Sequence, residues 1–314
     1  MTCHNCQIAC NRFGKHRNGL QRFRCSQCRK TFTEDHRNPL HEMRLPMDKA
    51  VAIVKLLVEG MSIRSIERIT QVHRDTIMRL LVTVGRKCGV LLESKIRNIK
   101  PRYVQCDEIW TYLQKKRAHI REGDSPQFGD QWVFVAMDAE TKMILSYRVG
   151  KRTSENTNAF MDDLYRRLAV GHRIQLTTDG YYFYKAAVPM CFGLDVDFAQ
   201  LMKLYGDYEG NDARYSPPRI TEVISKVRSG NPDPEHVSTS YVERQNLTMR
   251  MQMRRLTRLT NAFSKKLENL EAAVNLHFAW YNFVRVHKSL RVTPAMQAGI
   301  TTRIWGFQDL LSIG

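Results

Sequence analysis

Apolar residues recur at helical spacing in three consecutive segments between residues 47 and 84. Pro46 stands at the start of the first segment, which ends at Gly60, and Ser62 is placed to cap the second segment. Only residues 71–73 separate the second segment from the third. This pattern predicts three helices, and the last two are joined by a turn tight enough for a helix-turn-helix. The apolar positions are Val51, Val54, Leu57 and Val58, then Ile63, Ile66 and Ile69, and then Ile77, Leu80, Leu81 and Val84.

The third segment begins with residues suited to DNA recognition. In a helix-turn-helix the second helix of the pair enters the major groove by its N-terminal residues. Here those residues include Arg74, Thr76 and Arg79, which are therefore candidate DNA-binding residues. A plain three-helix bundle is the alternative, because the same apolar spacing is common in bundles.

After residue 102 the pattern changes to short stretches rich in β-branched and aromatic residues. The predicted elements are a strand over 103–113, a hairpin over 131–150 that turns at 139–142, a helix over 154–168, and strands over 173–180 and 195–203. Strand, hairpin, helix and strand in this order predict a mixed α/β sheet flanked by helices, in the ribonuclease-H-like order.

Two further helices are predicted near the C-terminal end. Residues 241–259 contain no Gly or Pro and follow a turn-forming stretch, so a long helix capped near Ser238 or Ser240 is expected. A later helix is expected to pack inward through Leu267, Leu270, Val274 and Phe278.

Four cysteines near the start of the chain form two Cys-x2-Cys pairs separated by 18 residues. This spacing is typical of a zinc ribbon, in which four thiolates bind one Zn²⁺ tetrahedrally. The metal would supply folding free energy that so short a segment lacks. Disulfides and a redox pair are the alternatives, and His4, Cys10 and His36 are competing ligands. The predicted zinc ligands are Cys3, Cys6, Cys25 and Cys28.

Positive charge is concentrated at the two ends of the chain, whose net charge is +18. Residues 1–102 contain 21 Lys and Arg against 8 Asp and Glu, a net charge of +13. Residues 103–240 contain 17 against 19, a net of −2, and residues 241–314 contain 11 against 4, a net of +7. A polyanion that contacts both ends is expected, and nucleic acid is the commonest such partner. The alternative is a protein that is simply basic.

Composition narrows the class of protein further. The 314 residues are 43% apolar and 25% charged, which predicts a globular chain of two or three domains. No apolar run approaches the ~18 residues that span a bilayer, and the first residues lack a signal-peptide apolar core. A cytoplasmic protein without a membrane partner is therefore expected.

Two aspartates are placed to converge at one edge of the predicted sheet. Asp107 lies within the first strand, and Asp179 ends a later strand, where open α/β sheets bind their ligands. Because neighbours along a strand face opposite sides, only one of Asp107 and Glu108 can serve this site. Converging carboxylates raise each other's pKa unless divalent cations bridge them, so a metal site is predicted. Asp138 is interpreted as a hairpin-turn residue.

A third carboxylate, Glu243, stands at the head of the predicted arginine-rich helix. At 100° per residue, Glu243 shares one stripe of that helix with Asn246, Arg250 and Arg254. If the helix lies against the sheet, Glu243 completes a two-metal site, and Arg250 and Arg254 bind substrate phosphates. The alternatives are that Glu243 only complements the helix dipole, or that nearby Glu235 takes its place.

Asp107, Asp179 in TTDGYYFY and Glu243 in YVERQNLTMRMQMRR resemble the DDE triad of insertion-sequence transposases. Arg250, seven residues after Glu243, is similar to the basic residue of the same signature. A zinc ribbon and a helix-turn-helix before a DDE domain are most similar to the IS-one type, and the resemblance covers most of residues 3–294. The segment YNFVRVHKSL with VTPAM is also similar to the tail of several bacterial transposase groups.

The resemblance implies a multidomain transposase of known layout. The expected domains are a zinc ribbon at 1–40, an all-α helix-turn-helix domain at 41–98, a ribonuclease-H-like α/β catalytic domain with C-terminal helices at 99–290, and a tail at 291–314. The catalytic domain departs from the shortest family pattern by a loop-rich insertion at about 205–240. The implied cofactors are Zn²⁺ in the ribbon and two Mg²⁺ or Mn²⁺ ions held by Asp107, Asp179 and Glu243.

The implied activity is cutting and joining of DNA at the terminal inverted repeats of a mobile element. Target DNA and a second copy of the chain are the further expected partners, at the nucleoid of a bacterium or archaeon. His287 and Lys288 either approach the catalytic site or lie at the surface. The rival functions are a DNA-binding regulator without catalysis and a metal-dependent nuclease that does not join strands.

Overall fold

The computed structural model describes residues 1–3, 5–17, 19–33, 40, 43–206, 220–257 and 260–313. The chain packs as two compact units, Met1–Arg44 and Leu45–Gly314. The competing zinc ligands His4 and His36 lie outside the described residues, as does Arg258 of the predicted arginine helix.

The first unit is a small antiparallel sheet. Its strands are β1 (Asn11–Lys15), β2 (Gln21–Arg24) and β3 (Thr31–Thr33), in the order β1-β2-β3. Cys3 and Cys25 are its buried cysteines, whereas the ring of Phe13 is 42% exposed and lies beneath the guanidinium of Arg24. Phe13 therefore adds little to a hydrophobic core.

The second unit begins with the three predicted helices, α1 (Met47–Val58), α2 (Ile63–Thr70) and α3 (Arg74–Lys95). The Ser62 hydroxyl caps α2 by accepting from the Ser65 N–H at 3.1 Å, as the sequence pattern predicts. The His73 imidazole caps α3 by accepting from the Asp75 N–H. Between the two helices, Gln71 adopts a left-handed conformation that makes the tight turn.

A six-stranded mixed sheet forms the centre of the second unit. Its strands are β4 (Tyr103–Leu113), β5 (Gly129–Asp138), β6 (Ile144–Gly150), β7 (Ile174–Asp179), β8 (Val196–Tyr205) and β9 (Ile220–Ser229). They lie in the order β6-β5-β4-β7-β8-β9. The pairs β4–β7 and β7–β8 are parallel, and the other three pairs are antiparallel. The predicted mixed α/β sheet is confirmed, and its order is consistent with a ribonuclease-H-like fold.

Helices flank the sheet on both faces. They are α4 (Ser154–Arg167), α5 (Tyr184–Phe192), α6 (Ser240–Gln252), α7 (Leu267–Phe283), α8 (Pro294–Gln297) and α9 (Phe307–Leu311). Helix α3 packs along α7, where a Cβ on Gly85 would lie 2.3 Å from the carbonyl oxygen of Ala272. The three N-terminal helices therefore share one compact unit with the sheet, through a contact that only glycine allows.

Three segments differ from the sequence expectation. The stretch 220–229, expected to be loop, is the edge strand β9; most of its residues are exposed, so it shows no apolar face. Helix α5 was not among the predicted elements, and it contains Pro189, a residue that argues against a helix in sequence. Helix α6 ends at Gln252 rather than continuing to 259, because Met253 is extended and the chain turns back to bury Leu256.

In the ranges described above, none of the helices is both long enough and apolar enough to cross a lipid bilayer.

Candidate active site

Asp107 and Asp179 lie side by side at one edge of the central sheet. The parallel register of β4 and β7 pairs Cys106 with Thr178, so Asp107 and Asp179 are the next residues of two neighbouring strands. Residues in register on adjacent strands point to the same face. The two carboxylates therefore converge, as the sequence predicts.

Helix α6 brings Glu243 to this pair by binding to β4. The side-chain oxygen of Gln105 accepts from the Tyr241 N–H at 2.9 Å and from the Val242 N–H at 3.2 Å, which satisfies two donors in the first turn of α6. One turn further on, the Asn246 amide donates to Oδ2 of Asp107 at 2.8 Å. The helix with Glu243 thus lies against the strand with Asp107.

The three carboxylates line one cleft of about 1210 Å³. The charged and amide residues that border it are Asp107, Glu108, Arg152, Asp179, Lys203, Glu243, Asn246 and Arg250. Carboxylates occupy its floor, and three cations stand around them. The cleft is therefore suited to a ligand that combines metal ions with a polyanion.

Burial and mutual repulsion disfavour the ionised carboxylates. Burial raises the pKa of Asp107 to about 7, and the charges of Asp179 and Glu243 add to this shift. Burial also raises the pKa of Asp179, although the Tyr181 N–H, which donates to it at 3.0 Å, and Arg152 oppose the shift. Groups with raised pKa values are stabilised as anions when a cation binds between them.

Two basic side chains pair with carboxylates of the cleft. Lys203 on β8 forms an ion pair with Oε1 of Glu243, and the Thr239 hydroxyl donates to the same oxygen at 2.6 Å. Arg152 lies 3.4 Å from Oδ2 of Asp179. Each of the three carboxylates is thus engaged by a protein donor, with Asn246 serving Asp107.

Glu108 faces the other side of the sheet, as the alternation along β4 requires. Its side chain is 1% exposed, pairs with Arg152 at 2.9 Å and accepts a hydrogen bond from the Tyr184 hydroxyl. Burial raises the pKa of Glu108 to about 8. Arg152 therefore connects the carboxylate behind the sheet edge, Glu108, to Asp179 in front of it.

The carboxylate oxygens are not gathered to the spacing of a bound ion. Among the described residues, only one group of three or more possible ligands has all its ligand atoms within 4.8 Å of one another, and it is the cysteine cluster Cys3, Cys6, Cys25 and Cys28. A metal at the carboxylates would have to draw Glu243 away from Lys203.

The cysteine cluster fits Zn²⁺. The thiols of Cys3 and Cys28 are 3.6 Å apart, and the N–H of Cys28 donates to the sulfur of Cys25 at 3.5 Å. Backbone donors of this kind lower the pKa of Cys25 to about 6, which favours the thiolate that binds metal. Cys10 is not part of the cluster, and its thiol instead donates to the carbonyl of Ile8.

The candidate DNA-binding residues fall in two places. Arg74 and Arg79 are exposed at the first turns of α3, and Thr76 is half-buried beside them. Arg250 lines the carboxylate cleft. Arg254 does not, because α6 ends before it and its side chain lines a small separate cavity of about 50 Å³.

The remaining candidates lie away from the carboxylates. Nδ1 of His287 and the Ser289 hydroxyl form a hydrogen bond of 3.0 Å. His287 is not among the residues that line the cleft. Glu235 sits in a short 3-10 helix, Pro234–His236, and is exposed, so Glu243 is the third carboxylate of the cleft. Asp138 accepts from the Glu140 N–H and the Thr141 hydroxyl, which is the hairpin-turn role expected of it.

Sequence reasoning missed Arg152 and Lys203. Both come from elements whose other residues suggest nothing about a site: Arg152 precedes α4, and Lys203 is the single basic residue of the largely apolar strand β8. The one signal in the sequence is position, since Lys203 ends the predicted strand 195–203, which the structure pairs with the strand of Asp179.

No protein-family model matches this chain, and no curated protein matches it in sequence. Among solved structures, the cryo-EM structure of the piggyBac transposase synaptic complex with hairpin DNA is similar over 85% of this chain and 70% of that chain, with 11% identity and a TM-score of 0.41. The crystal structure of the Mos1 strand transfer complex is similar over 50% of this chain and 59% of that chain, with 16% identity and a TM-score of 0.22. At these values neither likeness bears on what this protein does, and function must be argued from the site.

Proposed function

We propose that this protein is a DNA transposase that cuts and transfers DNA strands at the cleft of Asp107, Asp179 and Glu243. The observation that carries the proposal is the convergence of three carboxylates, two from neighbouring parallel strands and one from a helix docked on the sheet, in a cleft rimmed by cations. A purely DNA-binding protein has no need for two converging aspartates with raised pKa values, Asp107 and Asp179, beside its basic residues. The resemblance of the same three residues to a DDE triad agrees with this reading.

Magnesium or manganese fits the donor set. Hard divalent cations prefer carboxylate and amide oxygens, and the side-chain oxygen of Asn246 is buried with no donor to it among the described residues. When bound, the ions would activate a water and stabilise the leaving oxygen of the cut strand. Asp107, Asp179 and Glu243 are the residues that would hold them.

The protein's own residues orient the reaction. Asn246 fixes one oxygen of Asp107, so its other oxygen is presented to the cleft. Arg250 and Lys203 are placed to bind the phosphates of a DNA strand, because both line the same cleft as the three carboxylates. Lys203, which pairs with Glu243, would be free for that role if Glu243 held a metal ion.

Recognition of the terminal inverted repeats is assigned to the first turns of α3. Arg74, Thr76 and Arg79 lie where a recognition helix contacts base edges. The zinc ribbon, whose strands carry Arg12, Arg22 and Arg24, would add phosphate contacts. Joining two ends of an element requires at least a dimer, as the family resemblance implies.

The test separates this function from its rivals. Purified protein with Mg²⁺ or Mn²⁺ is incubated with duplexes carrying the inverted repeats that flank its gene and with a target plasmid, and products are resolved on denaturing gels. Nicked ends and joined products support a transposase, whereas nicking without joining supports a nuclease. Binding without nicking supports a regulator and would overturn the proposed catalysis.

A further inference from the structure

A row of aromatic side chains runs along the face of the sheet that carries Glu108, opposite to the face of Asp107. Trp110 and Tyr112 alternate with buried residues on β4, and Trp132 on β5 stands directly opposite Trp110. The rings of Trp110 and Tyr112 are 5.7 Å apart, and all three side chains are half-exposed. Half-exposed tryptophans in a row offer several flat surfaces to one ligand.

Arg152 joins this row to the carboxylates. Its guanidinium lies 4.7 Å from the centre of the Trp132 ring and 3.8 Å from that of Tyr181, and it also pairs with Asp179. Arg152 is therefore the shared boundary of the metal-site candidate and the aromatic row.

A second cavity of about 460 Å³ lies on the far side of Arg152. It is lined by Trp132, by the cations Arg117, Lys151 and Arg152, and by Asp130, Ile120 and Thr153. Lys116 lies over the Tyr112 ring at 6.0 Å, which extends the same mixture of rings and positive charge. We call the surface formed by Trp110, Tyr112, Trp132, Arg117, Lys151 and Arg152 the aromatic track.

The chemistry of the aromatic track fits an unpaired nucleic acid strand. Proteins bind single strands by stacking bases on aromatic rings while cations follow the phosphates. In duplex DNA the faces of the bases are covered by their neighbours, so a duplex gains little from exposed tryptophans. Arg152 is engaged by Glu108 and Asp179, but Arg117 and Lys151 still outnumber Asp130, so the cavity keeps a charge opposite to that of a DNA backbone.

We propose that the aromatic track binds the unpaired DNA strand next to the point of cleavage, with bases on Trp132 and Trp110 and phosphates on Arg117 and Lys151. This inference rests on the proposed function for the identity of its ligand as DNA. It extends that function by assigning a binding site to the DNA strand that separates when the end of the element is unpaired for cleavage. It needs no covalent step.

Photo-crosslinking locates the strand. The full-length protein, without divalent metal, is mixed with an oligonucleotide of about ten thymidines in which 5-iododeoxyuridine replaces some bases, irradiated, digested and mapped by mass spectrometry. Adducts on Trp132 or Trp110 are expected from the single strand and not from the same oligonucleotide in a duplex. Adducts confined to the zinc ribbon, or equal labelling by the duplex, would overturn the proposal.

Affinity measurements complete the test. By fluorescence anisotropy, Trp132→Leu and Trp110→Leu should each bind the oligonucleotide on the order of 10-fold more weakly than wild type. Tyr165→Leu is the matched control, because Tyr165 is 38% exposed on α4, away from the cleft, and should leave affinity unchanged. Arg117→Gln should reduce the slope of log affinity against log salt by about 0.7.

Circular dichroism and binding of duplex ends check that each variant is folded. If folded Trp132→Leu binds the oligonucleotide as tightly as wild type does, the aromatic track is not a strand-binding site. Neither binding nor crosslinking requires metal or cleavage. If the protein crosslinks through Trp132 but does not cleave DNA, the proposed catalysis is refuted and the proposed strand site is supported. If it cleaves DNA but does not crosslink through Trp132 or Trp110, only the strand site is refuted.

Discussion

Replacing Asp107 by asparagine should stabilise the protein at neutral and alkaline pH. The carboxyl is buried, and its pKa rises from 3.8 to about 7 because burial and the charges of Asp179 and Glu243 disfavour the anion. Asparagine has nearly the same shape and no charge. Asp107→Asn therefore removes an unfavourable ionisation that the active site requires and the fold does not.

The direction of the pH effect follows from the two pKa values. Between pH 3.8 and about 7 the folded carboxyl keeps a proton that the unfolded chain has released, so stability falls as pH rises through this window. The difference, 7 minus 3.8 or about 3 pH units, corresponds to at most about 4 kcal/mol above pH 7. Relaxation of the cleft and a weaker bond to Asn246 reduce this, and we expect a gain of about 2 kcal/mol at pH 8.

Thermal unfolding at several pH values, in buffer without added divalent metal, measures the effect. The midpoint of Asp107→Asn should exceed that of wild type by about 4 to 8 °C at pH 8, with a smaller difference at pH 5. Asp162→Asn is the control, because Asp162 is an exposed partner of Arg166 and should change stability by about 0.5 kcal/mol or less. A destabilised Asp107→Asn protein, or a gain that does not grow with pH, would refute the reasoning.

Three further predictions concern the metal sites and the helix packing. Lys203→Met removes the ion-pair partner of Glu243, so calorimetry should show roughly 3-fold tighter Mn²⁺ binding, the size expected for a half-exposed ion pair. Unchanged or weaker binding would show that Lys203 does not compete with metal. Cys28→Ser should lose the zinc that a colorimetric chelator releases from wild type, about one per chain, whereas Cys10→Ser should retain it; loss in both would remove the four-cysteine assignment. Gly85→Ala places a methyl group against α7 and should lower unfolding stability by about 1 to 3 kcal/mol, and an unchanged melting temperature would contradict the close helix contact.

Elements with strong local signals were predictable from the sequence. Three helices with regular apolar spacing, a strand ending in Asp179 and a hairpin with Asp138 at its turn are all present where the pattern puts them. The strand β9 and the helix α5 were not predictable, since one exposes most of its residues and the other contains Pro189. Local patterns do not record an edge strand whose partner is supplied only by the folded sheet.

Some residues of the candidate active site were predictable from local patterns, and others were not. Alternation along β4 separated Asp107 from Glu108, and helical periodicity placed Asn246 and Arg250 beside Glu243. The periodicity failed at Arg254 because it assumes a helix that continues, whereas the chain turns at Met253.

Arg152 reaches Asp179 from the loop before α4, and Lys203 reaches Glu243 from β8. Their contacts depend on tertiary packing, which no local spacing of the chain encodes.

Metal-dependent cleavage of the terminal DNA tests the central claim most directly. With Mg²⁺ or Mn²⁺, the wild-type protein should nick its inverted repeats and join the freed ends to target DNA. Asp179→Asn and Glu243→Gln should bind the same DNA but lose cleavage by at least about 100-fold, because each removes a carboxylate ligand of the proposed ions. Undiminished cleavage by both variants would contradict the assignment of Asp107, Asp179 and Glu243 as the catalytic carboxylates.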